Sequence, residues 1–225
     1  MGESMKYQNK FNLTYEQSMF LAKKKWDENV YCGMKMENRS VTFPQTQTIL
    51  NGVNVPNVDL YDIQAILNMR DAWKYLFKTM KEPVTLEYFC KINEYISRNE
   101  SLEWGVLRKG VVGISGTEYL PPIPNREDAA AQLSAHLHAE GLSVTEIALN
   151  IFCWGARGQF FWDGNKRTSM TLANKIMVSH GVGILTITDK HMEEFNVLLL
   201  DFYNTNENQK LKDFLYAYAI QGMTV

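Results

Sequence analysis

Apolar residues recur at three- and four-residue steps along most of the chain, which is the spacing of one face of an α-helix. The clearest case covers residues 59–77, where Asp59 precedes a run of apolar residues at that spacing and is suited to cap the helix. Residues 14–30 begin with Thr14 and Gln17, the pattern of a capping box. Similar patterns predict helices over residues 85–96, 129–138, 143–154, 168–179, 190–202 and 207–220.

One segment departs from the helical spacing. Residues 106–119 are rich in glycine and β-branched side chains, with Val112, Gly113 and Ile114 at their centre. Prolines follow from Pro121 onward and would end strand pairing, because proline has no backbone N–H to donate. We therefore predict an all-α fold, a helical bundle with one small β-hairpin.

Composition restricts the class of protein. A chain of 225 residues with 45% hydrophobic content can bury a large core, so we expect one domain over residues 1–225. A net charge of −2 offers no broad basic face, which argues against nucleic acid or an acidic membrane as partner. No run of about 20 apolar residues and no signal-peptide core is present, so a cytoplasmic location is expected. The scattered positions of Cys32, Cys90 and Cys153 favour reduced core thiols.

A turn at residues 159–167 carries the strongest candidate chemistry. Asp163 offers a hard oxygen for a magnesium ion, and Gly164 lets the backbone approach a phosphate closely. Asn165 can donate its amide to a phosphate oxygen. Lys166 and Arg167 add positive charge at the start of a predicted helix, whose N-terminus itself favours anions.

Structural interpretations of the same residues remain open. Asp163 could only cap the helix, Asn165 could only close an Asx-turn, and the two cations could form a solvated face. Asn174 could lie near a nucleotide or bond a neighbouring loop. A P-loop is excluded because its glycine and lysine spacing is missing.

The turn resembles the active-site motif of the Fic (Fido) family, His-x-Phe-x-Asp/Glu-Gly-Asn-Gly/Lys-Arg-x-x-Arg. The matching residues are Phe161, Asp163, Gly164, Asn165, Lys166 and Arg167. Two positions depart, since Gln159 stands in the histidine slot and Met170 in the last arginine slot. A lysine before the arginine is similar to the Doc branch of the family, which transfers phosphate.

Two further segments are similar to the family, in the family's order. Residues 106–122 resemble its flap, in which Val112, Gly113 and Ile114 would bind the target polypeptide as an added strand. Glu37 and Asn38 match the inhibitory segment of self-restrained members, although Gly33 stands where that segment has Ser or Thr. The resemblance divides the chain into an N-terminal helix with the inhibitory segment (1–58), a core (59–203) and a C-terminal helix (204–225).

The resemblance implies ATP and Mg²⁺ as cofactors, with transfer of AMP to a Ser, Thr or Tyr hydroxyl of a target protein. By position, Gln159, Asn165 and Arg167 would be catalytic, and Asp163 would bind the metal. The nucleotide-binding residues would be Gly164, Asn165, Lys166, Arg167 and Asn174. Glu37 and Asn38 would be regulatory.

Gln159 argues against the usual rate, because an amide cannot accept the hydroxyl proton as imidazole does. None of the histidines, His136, His138, His180 and His191, lies nearby in sequence to replace it. The alternatives are a slow transferase, a Doc-like phosphotransferase, and a nucleotide-binding pseudoenzyme or partner-binding module. The sequence leaves a homo-oligomer open.

Overall fold

The computed structural model of the chain describes residues 6–223. The α-helices among these residues are α1 (Tyr15–Met36), α2 (Phe43–Leu50), α3 (Leu60–Lys78), α4 (Leu86–Ile96), α5 (Arg126–Leu137), α6 (Val144–Gly158), α7 (Asn165–Ser179), α8 (Asp189–Thr205) and α9 (Gln209–Phe214). A π-helical turn, Leu215–Ala219, follows α9, and two short strands are β1 (Ile184–Leu185) and β2 (Ile220–Gln221). The predicted all-α class is confirmed. Residues 1–5 and 224–225, which the predicted domain includes, lie outside the described part.

Capping residues set where the first helices begin. Thr14 accepts from the backbone N–H of Gln17 at 3.2 Å, and the Gln17 side chain accepts from the Thr14 N–H at 2.8 Å. The same reciprocal pair forms between Thr42 and Gln45 at the start of α2, a helix that the apolar spacing did not predict. Helix α1 also continues to Met36, six residues past its predicted end, because its last turns are buried. This extension brings the helix end to Glu37.

Helix α7 forms the centre of the bundle and packs most extensively against α6. Nearly every residue of α7 is buried, including polar ones such as Thr168 and Asn174, so the helix has no solvent face. The three cysteines are buried and free, as predicted. No helix within residues 6–223 is long and apolar enough to cross a membrane.

The paired strands are not where the glycine-rich segment predicted them. Within the described chain, strand pairing occurs between β1 and β2, which are antiparallel with Ile184 opposite Gln221. Residues 106–122 instead form an extended loop, hereafter the flap, in which Val112 and Ile114 are half-buried. The buried Arg108 side chain ties the two ends of the flap together and to the turn at Gln159. It donates to the carbonyls of Gln159, Gly110, Pro121 and Pro122 at distances of 2.5, 2.5, 3.1 and 2.6 Å.

Candidate functional site

A cavity of about 540 Å³ lies between four parts of the fold. The end of α1 contributes Glu37 and Asn38, and the turn between α6 and α7 contributes Gln159 and Lys166. The flap contributes Gly113, Ile114, Ser115 and Gly116, and α8 contributes Asn196, Leu199, Leu200 and Tyr203. The fold therefore brings together the three segments that the sequence singled out.

Gly164 allows the tight turn that precedes α7. Its φ of 72° lies in the left-handed region, which favours glycine. A Cβ at this position would lie 2.5 Å from Ser97 Oγ and 2.9 Å from a side-chain carbon of Ile96. Both conformation and space thus demand glycine, and the backbone carbonyl of Asp163 is held by Ser97 and Asn93 at 2.9 and 3.0 Å.

The side chain of Asn165 holds the turn together. Its oxygen accepts from the backbone N–H of Phe161 at 2.9 Å, and its nitrogen donates to the Phe161 carbonyl at 2.9 Å. The same nitrogen donates to Gln159 Oε1 at 3.1 Å. Asn165 is buried, so in this conformation its amide fixes the loop between Gln159 and α7.

Asp163 does not occupy the N-cap position of α7, which belongs to Gly164. Asp163 Oδ1 accepts from the Gly164 N–H at 2.6 Å, and its side chain is 44% exposed. Among residues 6–223, no side chain makes a capping hydrogen bond at the start of α7. The backbone N–H groups there face no side-chain acceptor, which leaves the helix end suited to an anion.

Arg167 is fully buried among carboxylates. Its Nη1 donates to Glu100 at 3.2 Å, its Nε lies 3.6 Å from Glu37, and its Nη2 lies 3.8 Å from Asp163. Burial alone would lower the pKa of Arg167, but the negative charges of Glu37, Glu100 and Asp163 outweigh that effect and raise the pKa above its ordinary value. The guanidinium is therefore permanently charged.

Lys166 connects the turn to the end of α1. Its Nζ donates to the carbonyl of Met36 at 2.5 Å and lies 3.1 Å from Glu37 Oε2. A cation at the C-terminus of a helix is favourable because the last carbonyls carry partial negative charge. Glu37 consequently contacts both motif cations, one with each carboxylate oxygen.

Gln159 ends α6 in the left-handed conformation, with a φ of 45° that is uncommon outside glycine, asparagine and aspartate. Its Nε2 donates to the Ala156 carbonyl at 2.7 Å, while its Oε1 accepts from Asn165. The side chain lines the cavity but is bonded at both ends. Among the described residues, the four histidines all lie outside the lining of this cavity.

Asn174 is not brought to the cavity. Its side chain is buried two turns further along α7, where it donates to the Leu185 carbonyl at 2.9 Å and accepts from the Leu185 N–H at 2.7 Å. It bonds the neighbouring β1 segment, as the structural interpretation of this residue predicted. Met170 is buried in the core and 4% exposed. Val112 lies in the flap but is not among the lining residues, whereas Gly113 and Ile114 are.

The sequence interpretation missed two sets of residues at the site. Asn196 and Tyr203 line the cavity from α8. Burial, and to a lesser extent the negative charge of Glu37, raises the pKa of the Tyr203 phenol well above its usual value. Glu100 contacts Arg167 and is itself bonded by Arg39 and Asn68. No local pattern marks these residues, because each reaches the site only through tertiary packing.

Comparisons with known proteins agree with this geometry. The profile of the Fic/DOC family matches residues 83–177. The sequence matches none of the curated proteins. The fold is similar to Fic-1 from C. elegans, with a TM-score of 0.78 at 18% identity over 92% of this chain and 64% of that one. The chain thus spans about two-thirds of that structure's length.

Two bacterial structures give similar values. A Fic family protein from Desulfovibrio desulfuricans superposes with a TM-score of 0.73 at 18% identity, covering 91% of this chain and 66% of that one. A Fic domain containing signaling protein from Bacteroides thetaiotaomicron gives 0.72 at 17% identity, covering 91% and 85%. At these identities the likeness establishes the fold.

Proposed function

We propose that the chain is a nucleotide-dependent modifier of proteins, restrained by its own Glu37, and the match of the Fic/DOC family profile to residues 83–177 supports this proposal. The observation that carries this proposal is the position of the Glu37 carboxylate, 3.1 Å from Lys166 and 3.6 Å from Arg167 at the edge of the cavity. The Glu37 carboxylate neutralises Lys166 and Arg167, the two cations that a nucleotide phosphate would otherwise contact. Displacement of Glu37 would free that charge.

The phosphates would contact Lys166, Arg167 and the uncapped first turn of α7. Asp163 is suited to Mg²⁺ because its carboxylate is partly exposed at the start of this turn. Mg²⁺ would neutralise phosphate charge when bound. The nucleoside would occupy the cavity beside Asn196 and Tyr203, which line it from α8.

The target polypeptide would approach along the flap, where the exposed backbone of residues 111–115 has no strand partner. Its Ser, Thr or Tyr oxygen would attack the α-phosphorus of ATP, pyrophosphate would leave, and the hydroxyl would lose its proton. Gln159 cannot take that proton. The proton would pass to a phosphate oxygen of the nucleotide, while Gln159 orients the hydroxyl. Without a histidine base, the rate would lack a factor of roughly 10² to 10⁴.

A second candidate is a nucleotide-binding pseudoenzyme. It is favoured by Gln159, whose amide is bonded to Ala156 and Asn165 and is thereby held away from a reacting group. A Doc-like transfer of the γ-phosphate is a third candidate, favoured by Lys166 at the position before the arginine. All three share phosphate binding at Lys166 and Arg167.

Incubation of the protein with a cell lysate and either α- or γ-labelled ATP separates these functions. We expect label from the α-phosphate to reach protein in Glu37→Gly, and more strongly in Glu37→Gly combined with Gln159→His. Glu87→Gly is the matched control, since Glu87 is exposed and pairs with Arg126 far from the cavity. Transfer of the γ-label alone would favour the Doc-like reaction.

Binding measured without turnover tests the part that all three functions share. Calorimetry should show ATP with Mg²⁺ binding to Glu37→Gly, and that binding should disappear when Arg167→Ala is added. If the combined histidine variant binds ATP and transfers neither label, the transferase proposal is wrong and the pseudoenzyme stands. If Glu37→Gly binds no ATP, all three fail.

A further inference from the structure

The guanidinium of Arg167 has one end fixed and one edge open. Its Nη1 contacts both oxygens of Glu100, at 3.2 and 3.3 Å, and the carbonyl of Ile96 at 3.4 Å. The opposite edge, Nε and Nη2, faces Glu37 and Asp163 at 3.6 and 3.8 Å. Nε is buried and makes no hydrogen bond with any described residue. The two-nitrogen edge that suits a phosphate is thus the edge without a close partner.

Glu100 is held firmly in its own position. Its side chain is 3% exposed, and Arg39 Nη2 donates to Oε2 at 2.6 Å. Asn68 Nδ2 donates to Oε1 at 2.8 Å, and Asn68 is in turn held by Gln64 at 2.8 Å. If this buried carboxylate moved away, both Arg39 and Arg167 would lose a paired negative charge, which is costly in the protein interior.

We propose that Glu100 is a positioning residue, which aims the Nε–Nη2 edge of Arg167 at the nucleotide phosphates. The inference rests on the proposed function for the identity of the anion. Arg167 is fully buried and charged, so it needs a counter-charge at all times. When Glu37 withdraws, Glu100 remains as that counter-charge and keeps Nη1 in place, so the open edge keeps its direction.

The segment that carries Glu37 and Arg39 contacts Arg167 directly and also supports its partner Glu100. Glu37 covers the open edge, while Arg39, two residues later, pairs with Glu100 at 2.6 Å and with Asp62 at 2.9 Å. Asp62 and Glu100 therefore anchor the segment through Arg39 independently of Glu37. Glu37 can leave the cations while Arg39 stays, and Glu100 then keeps its own support.

Substitutions of Glu100 in the Glu37→Gly background test the inference by whether ATP–Mg²⁺ binding becomes weaker or tighter. If Glu100 positions Arg167, Glu100→Ala weakens ATP–Mg²⁺ binding by about tenfold or more, the scale of one misdirected charge-assisted contact. Glu100→Gln weakens binding less than Glu100→Ala does, because one amide oxygen still accepts from Nη1 although the counter-charge is lost. If Glu100 merely repels the anion, Glu100→Ala tightens binding instead, and the inference is overturned.

A readout on Arg167 itself separates this inference from the proposed function. The Nε–H of a fixed, buried arginine gives a sharp NMR signal with slow solvent exchange, identified by its loss in Arg167→Lys. We expect that signal to persist in Glu100→Gln and to broaden in Glu100→Ala. An unchanged signal in Glu100→Ala contradicts positioning, whether or not ATP binds. If no variant binds ATP but the signal behaves as expected, the proposed function alone has failed.

Asn68→Ala serves where Glu100→Ala does not fold, since it removes a support of Glu100 without changing any charge. Broadening of the Arg167 signal is expected there too. A signal as sharp as in the unsubstituted protein would overturn the inference. Glu87→Ala is the control for loss of a carboxylate at an exposed pair of comparable length, 2.6 Å from Arg126.

Discussion

At the scale of single residues, Gly164 is the position where the site tolerates least change. Its left-handed backbone and the 2.5 Å approach to Ser97 Oγ exclude a Cβ for two separate reasons. We expect Gly164→Ala to lower the free energy of unfolding by about 2 kcal/mol or more, measured by chemical denaturation. Gly113→Ala is the matched control, because a Cβ there meets nothing within 4 Å. Equal losses in the two variants would contradict the steric argument.

The motif residues show how much of the site can be predicted from individual residue types in the sequence. Gly164 was expected to permit a close backbone approach, and the structure gives it a φ of 72° in the left-handed region. For Asn165 and Asp163 the sequence offered a functional and a structural interpretation, and the structure shows how differently the two side chains are placed. The Asn165 amide is occupied within the turn, whereas the Asp163 carboxylate is partly exposed. Side-chain surroundings decided this, and no local pattern encodes them.

At the scale of elements, Arg108 holds the flap in place. It is 1% exposed, and burial lowers its pKa below the usual range. Its bonds to four carbonyls join both ends of the flap to the turn at Gln159. A lysine has no planar fork to reach all four. We expect Arg108→Lys to speed amide exchange and proteolysis within residues 109–122, with the helices unchanged.

Hydrogen exchange followed by mass spectrometry measures this effect segment by segment. Arg126→Lys is the control, since Arg126 is exposed and pairs with the exposed Glu87. Faster exchange throughout the protein would mean that Arg108 supports the whole core, which would contradict a local role. A flap with unchanged exchange would show that its other contacts, such as Thr117 with Asn204, are sufficient.

Helices were predicted far better than the flap, for a physical reason. Capping residues and apolar spacing act within a few residues, so the starts of α3 and α4 lie within one residue of prediction. The flap is extended and alternately buried like a strand, which is why its sequence resembles one. Whether such a segment pairs depends on a partner elsewhere in the chain. Within the described residues the flap has no such partner, and Arg108 holds only its two ends.

At the scale of the whole molecule, alkaline pH should destabilise the fold through its buried thiols. Burial raises the pKa of Cys32 and of Cys153 to about 12 from an ordinary 9. A raised pKa contributes stability that is complete below about pH 9 and is lost as pH rises toward 12. Each thiol accounts for at most ~1.4 kcal/mol per pH unit. Cys32→Ala with Cys153→Ala should therefore flatten the fall in unfolding free energy over this range.

Lys175 should act with the opposite sign. Burial lowers its pKa to about 8 from 10.5, and its Nζ donates to the Thr79 carbonyl at 2.9 Å. A depressed pKa contributes stability that is complete above pH 10.5 and is lost as pH falls through 8. The unfolding free energy of the native chain should thus rise relative to Lys175→Met between pH 8 and 10.5. A constant difference between the two proteins would contradict this linkage.

The charge network around Arg167 could not be predicted from local sequence patterns. Glu100 lies 67 residues from Arg167 and 61 from Arg39, and the pairs form only when α1, α4 and α7 have packed together. The fold class follows from local patterns repeated along the chain. The charge network follows from their assembly.

The order of the chain has a consequence during synthesis. Glu37 directly follows helix α1. The hydrogen bond from Lys166 to the carbonyl of the adjacent Met36 spans 130 residues of sequence. Chains emerge from the ribosome with their N-terminal part first. Helix α1 is therefore made before Lys166 and Arg167 are translated. The Glu37 carboxylate is therefore present before the two cations are made, and it can cover them as soon as α7 packs against α1.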